Sequence, residues 1–249
     1  MLTSNYNLTT ETDQAVATGI RRTINRFREN PFYYFTESDI HASLVKDILD
    51  GHSDLFYQPI HGTSLRLSLV HLEYPTNFSF SRKEALYGES NESADTNRQR
   101  GNFDLAVLKA NKFEAIVKDM SNLNEDEKQT NLIRLLKSII SKDIASNEEL
   151  YQKLNEPIGE LIDYAIEVKF FHFNNATREM FDQVKIDNFK LRKAIENKAS
   201  IKPVNLIFCY YWNDINNKNI AWKNNLESFR SDLLKGKILN GSNVQNNIP

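Results

Sequence analysis

Tyr164-Ala165-Ile166-Glu167-Val168-Lys169-Phe170-Phe171 reads as a β-strand with two charges set into it. Side chains alternate faces along a strand, so Ile166, Val168 and Phe170 share one face and Glu167 and Lys169 the other. An acid and a base two residues apart in so apolar a strand are costly to bury unless they are paired or metal-bound. The plain alternative is an edge strand with a solvated face.

A second apolar strand, Asn102 to Ala110, is interrupted by Asp104. About fifty residues of helical character separate the two strands, among them Leu132-Ile133-Arg134-Leu135-Leu136-Lys137-Ser138-Ile139-Ile140. If that insertion leaves at Ala110 and returns at Leu161, Asp104 lies six residues before the exit and Glu167 six after the return. Antiparallel pairing then sets the two carboxylates opposite each other to within a residue or two. Like charges side by side are destabilising without a cation between them, which makes a divalent metal the economical explanation. Oxygen-only ligands favour Mg²⁺ or Mn²⁺ over zinc.

Outward from these strands, Val16, Ile20, Ile24 and Phe27 predict a helix over Thr10 to Glu29, stopped by Pro31. Thr36 with Asp39 reads as the capped start of a second helix that runs to Leu49, and Gly51 suits the position past its end. Ser64 to Pro75 alternates as a strand, and Phe78 to Asn102 reads as a long loop. A third strand spans Leu161 to His172, a helix Ala176 to Asn197, a fourth strand Pro203 to Trp212, and a helix Ala221 to Leu234. The tail from Gly236 is Asn-rich and expected to fray. The predicted division is an N-terminal helix over 1–30, an α/β domain over 31–235 with a helical insertion at 112–158, and a tail over 236–249. Without the insertion the core order is helix, strand, strand, strand, helix, strand, an α/β class.

The whole chain of 249 residues fits one large domain, or one domain with an insertion. Its 40% hydrophobic content supplies a core. With 31 basic against 33 acidic residues there is no global basic field, so polyanion binding would need a local patch. The single Cys209 excludes an internal disulfide framework and a thiolate metal cluster, and reads as a small buried apolar residue. The longest apolar run, Leu206 to Trp212, is too short to span a membrane, and Met1 to Asp13 is polar, without a signal region. The expectation is a cytoplasmic protein with no membrane partner.

On the helix opened by Thr36, Glu37 and His41 lie beside the inward stripe Ile40, Leu44 and Ile48. Glu37 reads either as a third metal ligand or as an acid placed for the helix dipole. His41 reads as a surface or packing residue, with a catalytic role as the alternative.

Glu37 on a helix, Asp104 on a strand and Glu167-Val168-Lys169 on the next strand, followed by a helix and a strand, together resemble the PD-(D/E)XK nuclease superfamily, the restriction-endonuclease-like fold. The resemblance covers about Pro31 to Asp214 without the insertion. Asn102-Phe103-Asp104 stands where the family usually has Pro-Asp, and the 63-residue step from Asp104 to Glu167 exceeds the usual gap. An insertion at a hairpin tip accounts for that step.

The resemblance implies that Asp104, Glu167 and the Val168 carbonyl hold Mg²⁺ (or Mn²⁺), which acidifies a water and offsets charge on the scissile phosphate. Lys169 would orient or deprotonate that water, and Glu37 would complete the shell or hold a second ion. On the following helix Gln183, Asp187 and Lys190 share one face; Gln183 and Lys190 are candidate nucleic-acid contacts, with a solvated face as the alternative. Arg98 and Arg100 are candidate phosphate contacts in a loop that otherwise only solubilises. Tyr33, Tyr34 and Phe35 read as packing between helices, with base stacking as the alternative.

The function implied is a metal-dependent nuclease acting on DNA, in restriction, repair or anti-phage defence, as a homodimer or with a partner subunit. The rivals are a non-catalytic nucleic-acid-binding or assembly module of the same fold, and an unrelated α/β protein whose acids form a structural ion-pair network.

Overall fold

The computed structural model describes residues 10–59, 66–88, 99–111, 124, 126–127, 130, 161–172, 178–197 and 200–210. Two helices come first. Helix α1, Glu11–Glu29, starts on Thr10, whose hydroxyl accepts the Asp13 N–H at 3.1 Å. Helix α2, Glu37–Leu49, opens with a capping box in which Thr36 and Asp39 bond each other's backbone N–H. The backbone N–H groups of Phe35 and Thr36 hold the Asp39 carboxyl below its usual range. Past Asp50, Gly51 turns the chain at φ +79°, a conformation open to glycine.

The two helices cross at Gly19, where a Cβ would stand 2.6–2.7 Å from Cγ1, Cα and N of Ile48. Thr23 and Arg26 of α1 both bond Asp47 of α2 at 2.8 Å, so the close contact is tied by polar groups on one side. Ala15, Val16, Ile24 and Phe27 of α1 join Ile40, Leu44 and Ile48 of α2 in the same core as the strands. Helix α1 is therefore part of that core, although the sequence division set it apart from residues 31–235. Its first turn is anchored too: Tyr164 and Lys202 both donate to the buried Asp13.

After α3, Ser53–Phe56, the strands β1, Tyr57–Pro59, and β2, Arg66–Ser68, form a small antiparallel pair. The main sheet contains β3, Val70–Phe80; β4, Gln99–Leu108; β5, Ile162–His172; and β6, Lys202–Tyr210, in the order β3-β4-β5-β6. Pairing is antiparallel except between β5 and β6, which are parallel and joined through helix α5, Arg178–Asn197. The molecule is an α/β protein with a mixed sheet. The inner strands are packed from both sides, with Leu105, Ala106, Val107, Ala165 and Ile166 fully buried.

Two sequence expectations need correction. The strand expected over Ser64 to Pro75 is broken at Leu69, where the Ser68 hydroxyl bonds both the N–H and the C=O of Val70. Beyond Pro75 the strand continues to Phe80. β3 lies at the edge of the main sheet, Pro75 pairs with Asn102 there, and the register shifts between Pro75 and Ser79. The segment expected as a loop from Phe78 to Asn102 thus holds the end of β3, a short helix α4, Arg82–Tyr87, capped by Ser81, and the start of β4. The helical insertion at 112–158 (apart from residues 124, 126–127 and 130), the helix Ala221 to Leu234, Tyr211-Trp212 and the tail lie outside the described residues.

Candidate metal centre

The β4–β5 ladder pairs Leu105 with Ile166, which makes Asp104 and Glu167 the next positions along it. There the backbone pairing stops. The Asp104 Oδ2 accepts the Val168 N–H at 2.7 Å, so a carboxylate takes the place of a ladder carbonyl. β5 has β6 on its other side, and Glu167 is fully buried opposite Asn205. A solvated edge for Glu167 and Lys169 is thereby excluded.

Glu37, in the first turn of α2, reaches the same end of β5. Its Oε1 accepts from Lys169 Nζ at 3.1 Å and its Oε2 from the Phe170 N–H at 3.2 Å. Lys169 Nζ also lies 3.3 Å from Asp187 Oδ2 of α5. Burial disfavours the Lys169 ammonium, but Asp187, Asp104 and Glu37 outweigh it and hold its pKa above the usual lysine range.

Lys190, one turn beyond Asp187, donates to Glu167 Oε2 at 2.9 Å and forms ion pairs with Glu167 Oε1 at 2.8 Å and Asp187 Oδ1 at 3.0 Å, although Oε1 accepts no hydrogen bond among the described residues. Burial pushes the Glu167 carboxyl up; Lys190 opposes this, while Asp187 and Asp104 add to it. Burial works against the charge of Lys190 as well, and Glu167 with Asp187 overcomes it. The face of α5 carrying Asp187 and Lys190 therefore packs into the site and is not solvated.

His41, read from sequence as a surface or packing residue rather than a ligand, lies beside Asp104. One turn along α2 from Glu37, its Nε2 lies 3.9 Å from Asp104 Oδ2 and has no hydrogen-bond partner among the described residues. Its neighbourhood is buried. Glu37, His41 and Asp104 each bring one ligand atom to within 4.8 Å of the others. The i, i+4 spacing of Glu37 and His41 on one helix face was the available signal.

Glu37, His41 and Asp104 are the residues that could hold a metal ion. Among the described residues, Glu37 and Asp187 pair with Lys169, and Glu167 and Asp187 with Lys190, while Asp104 has His41 beside it. Of the ligand positions expected from sequence, Glu37 and Asp104 come together, Glu167 faces Lys190, and Val168 meets Asp104 through its N–H. Gln183 is half-buried on α5. Lys190, expected to contact nucleic acid, is enclosed by protein oxygens. Arg98 lies outside the described residues; Arg100 pairs with Ser79 in the β3–β4 ladder, and its side chain lies outside them too. The packing expected of Tyr33 and Phe35 does not hold. Phe32, Tyr33 and Phe35 are 56%, 65% and 74% exposed, and only Tyr34 turns inward, onto Phe27.

The chain matches no protein-family model, no curated protein and no solved structure. No helix among the described residues is long and apolar enough to cross a membrane.

Proposed function

We propose that this chain is a divalent-metal-dependent nuclease that hydrolyses phosphodiester bonds in DNA, with Glu37, His41 and Asp104 holding the ion. The observation that carries the reading is the buried, unpartnered Nε2 of His41 beside Asp104. A buried imidazole nitrogen left without a partner costs about 1–3 kcal/mol, a cost that ligation would remove. The order α2, β3, β4, β5, α5, β6 supports a restriction-endonuclease-like core. An imidazole in the ligand set favours a transition metal over Mg²⁺, and two carboxylates beside it keep Mn²⁺ among the candidates.

Bound there, the ion would supply positive charge against the developing negative charge of the phosphate and promote loss of a proton from water. The protein's own residues set the geometry. The Val168 N–H fixes one Asp104 oxygen, and the Phe170 N–H fixes one of Glu37. Lys169, an ammonium between two carboxylates, keeps its proton, so its part is to orient the nucleophile and neutralise charge.

A structural ion-pair network is the second reading, favoured by the lysine partners that Glu37, Glu167 and Asp187 already have. Thermal unfolding with rising Mn²⁺ separates the two. The nuclease reading expects a midpoint that rises with Mn²⁺, an effect lost in Asp104→Asn; a midpoint indifferent to Mn²⁺ supports the network.

A further inference from the structure

Lys190 is more enclosed than Lys169, and its ammonium has four oxygens around it. They are Glu167 Oε1 at 2.8 Å and Oε2 at 2.9 Å, the Asn102 carbonyl at 2.9 Å and Asp187 Oδ1 at 3.0 Å. The ammonium donates hydrogen bonds to Glu167 Oε2 and the Asn102 carbonyl, and Glu167 Oε1 and Asp187 Oδ1 stand at ion-pair distance besides, so more oxygens surround it than it hydrogen-bonds. Two carboxylates and a carbonyl converging on one point are the oxygen ligands that a hard divalent cation takes. The lysine stem is accommodated by Gly101, where a Cβ would stand 3.2 Å from Lys190 Cδ. Glu167 is thereby committed to Lys190, while Glu37, His41 and Asp104 converge without it.

The geometry points to a one-ion site in which the Lys190 ammonium, and not a second cation, balances Glu167 and Asp187. This rests on the metal-binding reading above and deepens it, because it assigns Glu167 and Asp187 to a lysine and not to the ion. Lys190 is a positioning residue: it keeps the Glu167 carboxylate in place and supplies a positive charge that a chelator does not remove.

The test counts Mn²⁺ bound to the full chain, by titration calorimetry and by the paramagnetic signal of free Mn²⁺. Wild type should bind one ion. Lys190→Ala should bind a second, and its thermal midpoint should fall without Mn²⁺ and recover when Mn²⁺ is added. Glu167→Gln should bind one ion with an affinity within about threefold of wild type. Two ions on wild type, one ion on a folded Lys190→Ala, or a loss of about tenfold or more in Glu167→Gln would each overturn the inference. If Lys190→Ala does not fold, the wild-type count and the Glu167→Gln affinity decide. Wild type that binds no Mn²⁺ overturns the metal reading itself, whereas the other adverse results leave it standing.

Discussion

Lys169 Nζ lies 3.1 Å from Glu37 Oε1, a contact between residues 132 positions apart that joins the start of α2 to β5. If Lys169 serves the reaction, Lys169→Met should retain Mn²⁺ binding and lose about 10²-fold or more in cleavage rate. If it serves only as counter-charge, the same substitution should cost about 3–5 kcal/mol of stability without metal. Denaturant unfolding beside a cleavage assay distinguishes the two.

The α1–α2 crossing gives a prediction independent of function. A methyl at Gly19 meets Ile48 backbone as well as side chain, so the helices must separate. Gly19→Ala should destabilise by about 3 kcal/mol, at the upper end of overpacking costs, read as a lower urea midpoint. An unchanged midpoint would mean that the helices are not in contact there.

Acid stability should depend on Asp13. Burial raises its pKa, but bonds from Lys202 and Tyr164 more than offset this and bring it down to about 2. A carboxyl depressed on folding contributes stability above its unfolded value of about 4, and the contribution fades as pH falls toward the folded one. Asp13→Asn should therefore be less stable than wild type at neutral pH, with the difference shrinking between about pH 4 and pH 2. A difference that stays constant across that window in urea titrations would remove Asp13 from the acid response.

The exposed rings before α2 offer stacking surfaces next to Glu37. Tyr33→Ala and Phe35→Ala should each weaken single-stranded DNA binding by about 1–3 kcal/mol, measured by fluorescence anisotropy, with little change in unfolding midpoint. Unaltered affinity would leave the rings without a role in binding.

The hairpin count that set Asp104 against Glu167 agrees with the ladder because strand register follows from chain position on either side of the insertion. The start of α2 was legible for a similar reason, since capping by Thr36 and Asp39 is local chemistry. His41 was not legible as a neighbour of Asp104: helical spacing places it near Glu37, but only the packing of α2 against the sheet sets its distance to β4. Lys190 presented the same difficulty. A charged face on α5 reads alike whether it meets water or a buried carboxylate, and the choice depends on the helix rotation. β3 ran past Pro75 because it lies at the edge of the sheet, where a proline is tolerated.

The central claim is tested most directly by hydrolysis of end-labelled DNA with Mn²⁺, comparing wild type with Asp104→Asn and His41→Ala on linear, nicked, branched and single-stranded substrates. The account predicts cleavage by wild type that chelator abolishes, a loss of about 10²-fold or more in each variant, and retained folding. Wild type that cleaves none of these substrates, or variants that cleave as fast as wild type, would contradict it.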